Sequence, residues 1–352
     1  MSSLYEILEI LVKTAVILGI PLGALPIIIH VERRGAGFLQ KRVGPNRVGP
    51  FGLLQPLADV AKFMFKEEVH PSHVRPFFYS AAPIIALTVA LLPLACIPMS
   101  GPFEAFGKTI FPEVFRSDMG IFFAFAASAL GSYGILLAGW ASNNKFTMLG
   151  ALRACAQMVS YELSLSTAVV AMIFVFGTND IHGIVDAQTG YWFGFLPKWG
   201  FFVQPLAAML FLVGIFAESN RLPFDLAEGE SEIVAGYHLE YSSMKFAIFF
   251  MAEYIHMIAL SALFIIFFFG GYSLLPGMDL ISTDASPFIL PVLQATSFII
   301  KISAMIWFFV WVRWSLPRFR YDQLMDLGWQ RLLPLGIVNL IATVLFVYFR
   351  NQ

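Results

Sequence analysis

FAIFFMAEYIHMIALSALFIIFFFG, residues 246–270, carries one carboxylate, Glu253, one imidazole, His256, and no other charged side chain. Crossing the ~30 Å hydrocarbon core of a bilayer takes about 20 apolar residues of helix. A run this long suits a bilayer crossing and not a soluble core. Working outward from it, seven more runs read the same way, at about 10–31, 77–98, 119–140, 154–176, 200–217, 288–312 and 332–349. The expected fold is an all-α integral membrane protein with about eight transmembrane helices in a single domain, 1–352. Composition agrees. Hydrophobic residues make up 58% of the 352 and charged residues 13%, against about 25% charged in soluble domains. Mean hydropathy is +0.75.

Lysine and arginine orient the spans. Sixteen of the 22 fall in segments 32–76, 141–153, 218–245 and 313–331, while the opposite loops hold only Lys108, Arg116 and Lys198. Positive residues mark the cytoplasmic side, so both termini are expected on the other, periplasmic side. Phe77, Phe78, Trp140, Trp307, Trp311, Trp314 and Tyr348 crowd the span ends as interfacial belts do. The first apolar run has no small-residue cleavage site after it and reads as a retained helix. No internal repeat is evident, which argues against an ordinary transporter. A net charge of −1 gives no reason to expect nucleic acid. The only cysteines, Cys96 and Cys155, lie far apart in apolar segments, and an iron–sulfur cluster wants four thiolates. There is no CxxC, no HExxH and no phosphate loop. No metal is expected, and any redox centre belongs to another chain.

Two cytoplasmic segments are more than connections. In 32–76, Glu32-Arg33-Arg34 is followed by KRVGPNRVGP (41–50), whose Gly-Pro pairs punctuate turns. From about 51 to 66 Gln55, Asp59, Lys62 and Lys66 share one face of an amphipathic helix, and Leu53, Leu54, Leu57, Val60, Met64 and Phe65 cover the rest. It should lie in the interface plane, either as a plain surface anchor or as the wall of a pocket for an amphiphile, with Asp59 and Lys62 toward the headgroup. The second segment, ESNRLPFDLAEGESEIVAGYHLE (218–240), holds Glu218, Asp225, Glu228, Glu230, Glu232 and Glu240 against a single base, Arg221. A solvated loop tolerates such a cluster. Carboxylates this close also share protons. Inside the spans lie Glu162, Glu253, His256 and Lys301. Each costs on the order of 3 kcal/mol or more facing lipid, so they face the interior as an ion pair, for example Lys301 with a carboxylate, or as a proton relay.

Three long strings carry a resemblance: VERRGAGFLQKRVGPNRVGPFGLLQPLADVAKFMFKE (31–67), AESNRLPFDLAEGESEIVAGYHLEYSSMKFAIFFMAEY (217–254) and WVRWSLPRFRYDQLMDLGWQRLLPL (311–335). They resemble the H-subunit family of respiratory complex I, the NADH-quinone oxidoreductases, which takes in mitochondrial NADH dehydrogenase subunit 1. The resemblance covers most of the chain, the loops 99–117, 177–199 and 271–287 excepted. It implies a membrane subunit of a proton-translocating enzyme that binds no cofactor itself. Quinone is the substrate, and FMN and iron–sulfur clusters sit in partner subunits. Arg33, Arg34, Asp59, Lys62 and Phe63 would line the quinone chamber or its entrance. Glu162, Glu218, Glu228, Glu230, Glu232 and Glu253 would relay protons from it. Glu32, Asp225, Lys301, Arg318 and Arg320 are further candidates. Expected partners are the peripheral-arm quinone-site and iron–sulfur subunits, small membrane subunits, antiporter-like subunits and membrane lipid, in a bacterial plasma membrane. Three rival readings are the equivalent subunit of a membrane-bound hydrogenase-type complex, a stand-alone ion transporter, and a purely structural anchor for the peripheral arm. The transporter leaves the amphipathic segment and the acidic loop unexplained. The anchor predicts that the charged positions tolerate neutral substitution.

Overall fold

A computed structural model describes residues 2–105, 108–194, 196–276, 278 and 288–351, without the side chains of 2–6, 105, 230, 231 and 351. The chain opens on α1 (Ser2–Leu39), which carries Pro21 and Pro26 within it. The amphipathic α2 (Gln55–Phe65) follows, then α3 (Pro76–Leu91). A short hairpin, β1 (Phe103–Ala105) with β2 (Lys108–Ile110), precedes α4 (Gly120–Ala129) and α5 (Gly131–Ala141). Next come α6 (Lys145–Phe176), α7 (Ile181–Ala187) and a second hairpin, β3 (Tyr191–Trp192) with β4 (Leu196–Pro197). The rest is α8 (Gly200–Val203), α9 (Pro205–Glu218), α10 (Glu230–Ile233), α11 (Ser243–Phe268), α12 (Ile289–Ser315), α13 (Tyr321–Asp326) and α14 (Leu333–Asn351). A π-helical turn, Leu327–Leu332, joins α13 to α14.

Among the described residues seven segments are long and apolar enough to cross a bilayer: Ile7–Leu39, Pro76–Cys96, Gly120–Ala141, Lys145–Phe176, Ser243–Phe268, Ile289–Ser315 and Tyr321–Arg350. This is an all-α membrane protein. The run expected to span at 200–217 differs from the rest. It breaks at Gln204 into α8 and the 14-residue α9, about 21 Å of helix at 1.5 Å per residue.

The stretch 246–270 earns its composition by position. The bundle buries 78% of the most apolar window of α11, against 17% for the segment containing α14. Helices α1, α2, α3, α9 and α12 all pack around α11, and a helix surrounded on all sides needs no polar face. Small residues let neighbouring helices close up: a Cβ on Gly134 would meet the Ala86 Cβ at 2.9 Å.

Two expected boundaries move. α6 begins at Lys145 rather than near 154, because the Asn144 side chain accepts from the Phe146 backbone N–H and caps it early. α2 begins at Gln55 rather than near 51. Residues Pro50–Gly52 form a single turn in which Phe51 has φ 54° and Gly52 φ 79°, and a helix cannot run through left-handed backbone.

Candidate functional site

A cleft of about 470 Å³ opens between α1, α2, α11 and α12, lined among others by Glu32, Arg33, Arg42, Asp59, Phe63, Tyr254, Arg313 and Trp314. Its mouth is built by α2. Pro56, Asp59, Val60 and Phe63 line the cleft, while Leu57, Met64 and Phe65 stay exposed. This is the orientation of an interfacial helix with lipid on its other side. Arg33 is paired with Asp59, which Gln55 also reaches at 3.3 Å. The Phe63 ring packs 5.9 Å from Phe246 of α11. Lys62 and Arg34 are exposed and are not among the lining residues; the Lys62 amine lies 4.7 Å from the Phe63 ring centre.

Behind the cleft sits a buried charge cluster. Glu32 accepts hydrogen bonds from Arg313 and from the Tyr254 hydroxyl. Arg221 Nη1 lies 3.7 Å from the same carboxylate, and its guanidinium packs 4.1 Å from the Tyr254 ring centre. Burial works against the charge on Arg221, but Tyr254, Glu32, Glu253 and Glu228 around it hold its pKa above the ordinary guanidinium value. The lone base of the acidic loop is thus the link between that loop and the cleft. Sequence reasoning noted Arg221 without assigning it to the site, and missed Tyr254 and Arg313 altogether. The one signal was an isolated arginine among six carboxylates.

On the other side of α11 lies a small cavity of about 40 Å³, lined by Glu218, Ser219, Asn220, Tyr237, Glu253 and His256 among others. That is room for one or a few water molecules. Glu218 Oε1 is 3.4 Å from His256 Nε2, and Tyr237 donates to Glu253 Oε1 at 2.9 Å. Burial first, then Glu253 and Glu228, raise the Tyr237 pKa well above its usual value, so the phenol keeps its proton and acts as donor. Gln157 of α6 fixes the loop's geometry. Its Nε2 lies within bonding distance of the carbonyls of Ala217 (2.6 Å) and Phe224 (2.7 Å) and of Asn220 Oδ1 (3.2 Å). Nothing in the sequence set this glutamine apart from other span residues.

The remaining candidates divide. Asp225 is buried and accepts from Arg318 Nη2 at 2.9 Å. Burial and then Glu228 push the Asp225 carboxyl up to about 6, against the pull of Arg318. Glu228 is partly buried and bears on Asp225 and Tyr237. Glu162 is half-buried on α6 and does not line the small cavity. Glu232 is exposed and bound to Arg153 at 2.7 Å, tying the loop to α6. Arg320 is exposed and paired with Asp322 at 2.6 Å. The Glu230 side chain lies outside the described residues. Lys301 has found carbonyls. Its amine donates to Phe269 (3.0 Å), Gly271 (2.9 Å) and Ser273 (2.8 Å) at the end of α11, where a cation complements the helix dipole.

At the opposite end of the bundle from the acidic loop, α7 and two loops meet in a second buried cluster. His182 Nε2 lies 3.1 Å from both Glu113 oxygens, and Nδ1 lies 2.8 Å from the Tyr272 hydroxyl. Burial alone raises the Glu113 pKa, but the His182 hydrogen bond and the nearby Arg116 bring it below the ordinary carboxylate value.

A membrane bundle with a cleft of about 470 Å³ beside an amphipathic helix, and a carboxylate–histidine cavity one helix away, defines a class: multi-pass membrane proteins that bury titratable groups next to an open cleft. The chain belongs to the NADH dehydrogenase family, whose model matches residues 12–344. It is 45% identical to the NADH-quinone oxidoreductase H subunit of Bdellovibrio bacteriovorus, over 99% of both chains. It is 45% identical to the first of the numbered H subunits of Cytophaga hutchinsonii, over 89% of each. Against NADH-quinone oxidoreductase subunit 8 of Rhodothermus marinus it is 43% identical, over 91% of this chain and 92% of the other.

Proposed function

We propose that this chain is the membrane subunit of a proton-translocating NADH-quinone oxidoreductase that receives the quinone and couples its reduction to buried acids. The observation that carries the coupling is the placement of two consecutive residues on α11. Tyr254 lines the cleft and Glu253 lines the small cavity. Neighbouring residues on a helix point about 100° apart, so one rigid element faces both sites.

The cleft suits a quinone. Leu25, Ile29, Phe63, Phe246 and Phe250 give it an apolar wall, and Arg33, Tyr254 and Arg313 supply donors for two carbonyl oxygens. Reduction to the quinol takes two electrons and two protons. The electrons come from iron–sulfur clusters, fed through FMN, in partner subunits of the peripheral arm. Negative charge developing in the cleft draws Arg33 and Arg313 toward it and loosens their hold on Asp59 and Glu32. Glu32 then bears more strongly on Arg221, which stands beside Glu253. The altered field shifts the proton affinity of Glu253 and Glu218, with His256 within reach to pass a proton on. Glu162, Glu228 and Glu230 extend the same relay toward antiporter-like subunits, and Arg34 and Lys62 stand at the chamber entrance. In this reading Glu232 and Arg320 have structural roles, and Lys301 anchors the end of α11. The acidic loop faces the cytoplasm and docks the peripheral arm, and both termini lie on the periplasmic side of a bacterial plasma membrane.

The test uses membranes from a strain lacking this chain, assayed for NADH oxidation with a quinone and with ferricyanide, which takes electrons upstream. The expected result is loss of quinone reduction with ferricyanide activity kept, and restoration by this chain. Unchanged quinone reduction in its absence overturns the reading.

A further inference from the structure

We propose that hairpin β3–β4 and α8 form an aromatic anchor seated at the headgroup–hydrocarbon boundary of the leaflet away from the acidic loop, its partner being phospholipid.

The first argument is depth. About 21 Å of α9 falls about 9 Å short of a ~30 Å core. Gln204, which directly precedes α9, donates from Nε2 to Thr343 Oγ1 of α14 at 2.7 Å. Thr343 stands seven residues before Arg350, about 10 Å of helix inside that end. The shortfall lies at the acidic-loop end, where Glu218, the last residue of α9, meets His256 about 20 Å along α11. At the other end Gly200 packs on the Phe267 carbonyl, so the segment preceding α9 sits at the level where α11 ends and α14 runs on past it.

The sequence there, YWFGFLPKWGFF (191–202), has seven aromatic residues among twelve, and of these Trp199, Phe201 and Phe202 lie at the level where α11 ends. Trp199 and Phe201 pack 5.4 and 5.6 Å from Phe269, which follows the last residue of α11. The 26 residues of α11 reach about 39 Å and so cross the whole core. Phe201, Phe202, Leu206 and Met209 are exposed, an apolar strip that runs from the hairpin down the lipid side of α9. At the hairpin's tip Phe193 is 91% exposed. It is held at φ 55° beside Gly194 at φ 81°, a backbone region that bulky residues rarely adopt. A fully exposed phenylalanine at a strained turn has no role in water. Aromatic rings at this level are the usual interfacial anchors, and Lys198 brings a stem that lies along apolar surface and an amine for a phosphate.

Irregular backbone near lipid must have its polar groups satisfied. The Lys198 N–H donates to the Gly190 carbonyl at 3.1 Å. The buried Gln188 Oε1 accepts from the Gly200 and Gly270 N–H groups at 2.9 and 3.0 Å.

The experiment is a depth measurement in two settings, on a chain with Cys96 and Cys155 replaced by alanine. Phe193→Cys carries a nitroxide, and Met209→Cys, at a position 65% exposed on α9, sets the lipid-side reference. In the full chain in phosphatidylcholine–phosphatidylglycerol vesicles, the label at 193 is expected to relax with oxygen as at 209 and to show loss of access to a water-soluble nickel chelate. Free access to the chelate overturns the proposal. In the assembled complex in nanodiscs of the same lipids, the unlabelled thiol of the Phe193→Cys variant is expected to stay protected from a water-soluble maleimide. Protection there combined with water access in the lone chain means that a partner subunit covers Phe193, which also overturns it. Both outcomes are independent of quinone reduction, so they leave the reading of the cleft untouched.

Discussion

Buried carboxylates in this bundle differ by what stands next to them. Glu32 has two arginines and a tyrosine, Glu218 has a histidine, and Glu253 has a phenol. Asp225 is the one whose titration the surroundings place at about 6, through burial first and Glu228 second. An unfolded aspartate titrates at about 4. Since the folded value is the higher one, the contribution of Asp225 to stability is full below about pH 4 and is lost as pH rises through about 6. The unfolding midpoint of the assembled complex should therefore fall across that window in the parent and fall less in Asp225→Asn. An identical slope in both would remove Asp225 from the titrating groups. The same residue scale shows what a sequence hides. Glu162, Glu253 and Lys301 were legible as costly intramembrane charges, but a charge does not announce its partner. Lys301 reads equally as half of an ion pair until three carbonyls at the end of α11 are seen around it.

Elements were legible where one physical signal dominated. Apolar run length located the long spans, and the spacing of Gln55, Asp59, Lys62 and Lys66 located α2. Boundaries set by single residues were not legible. The cap at Asn144 lengthens α6, and left-handed backbone at Phe51 and Gly52 shortens α2. Nor was the break before α9, since Gln204 looks like any polar residue near a span end. Gln157 is the strongest case of a contact between elements, joining α6 to the end of α9 and the start of the acidic loop through one side-chain amide. Gln157→Leu removes the side-chain donor shared by the Ala217 and Phe224 carbonyls and leaves them their backbone donors alone, at a cost of about 1 kcal/mol. The expected outcome is a lower unfolding temperature of the full chain in detergent, with early proteolysis in 218–240. An unchanged melting temperature would show that water replaces the amide.

Across the whole molecule α11 is the organising element. Its N-terminal half separates the cleft from the cavity, and its far end is held by Lys301 and, through Tyr272, by His182 and Glu113. A helix fixed at one end and flanked by two charged sites at the other can carry a change in one site to the second without large motion. The most direct measurement on that claim is made on assembled complexes carrying Glu253→Gln or Glu218→Gln, reconstituted in vesicles, with quinone reduction and proton uptake followed in the same sample. The account predicts that both variants assemble and keep NADH oxidation by ferricyanide while quinone-linked proton uptake is lost. Quinone reduction and proton uptake at the parent level in both variants would contradict it.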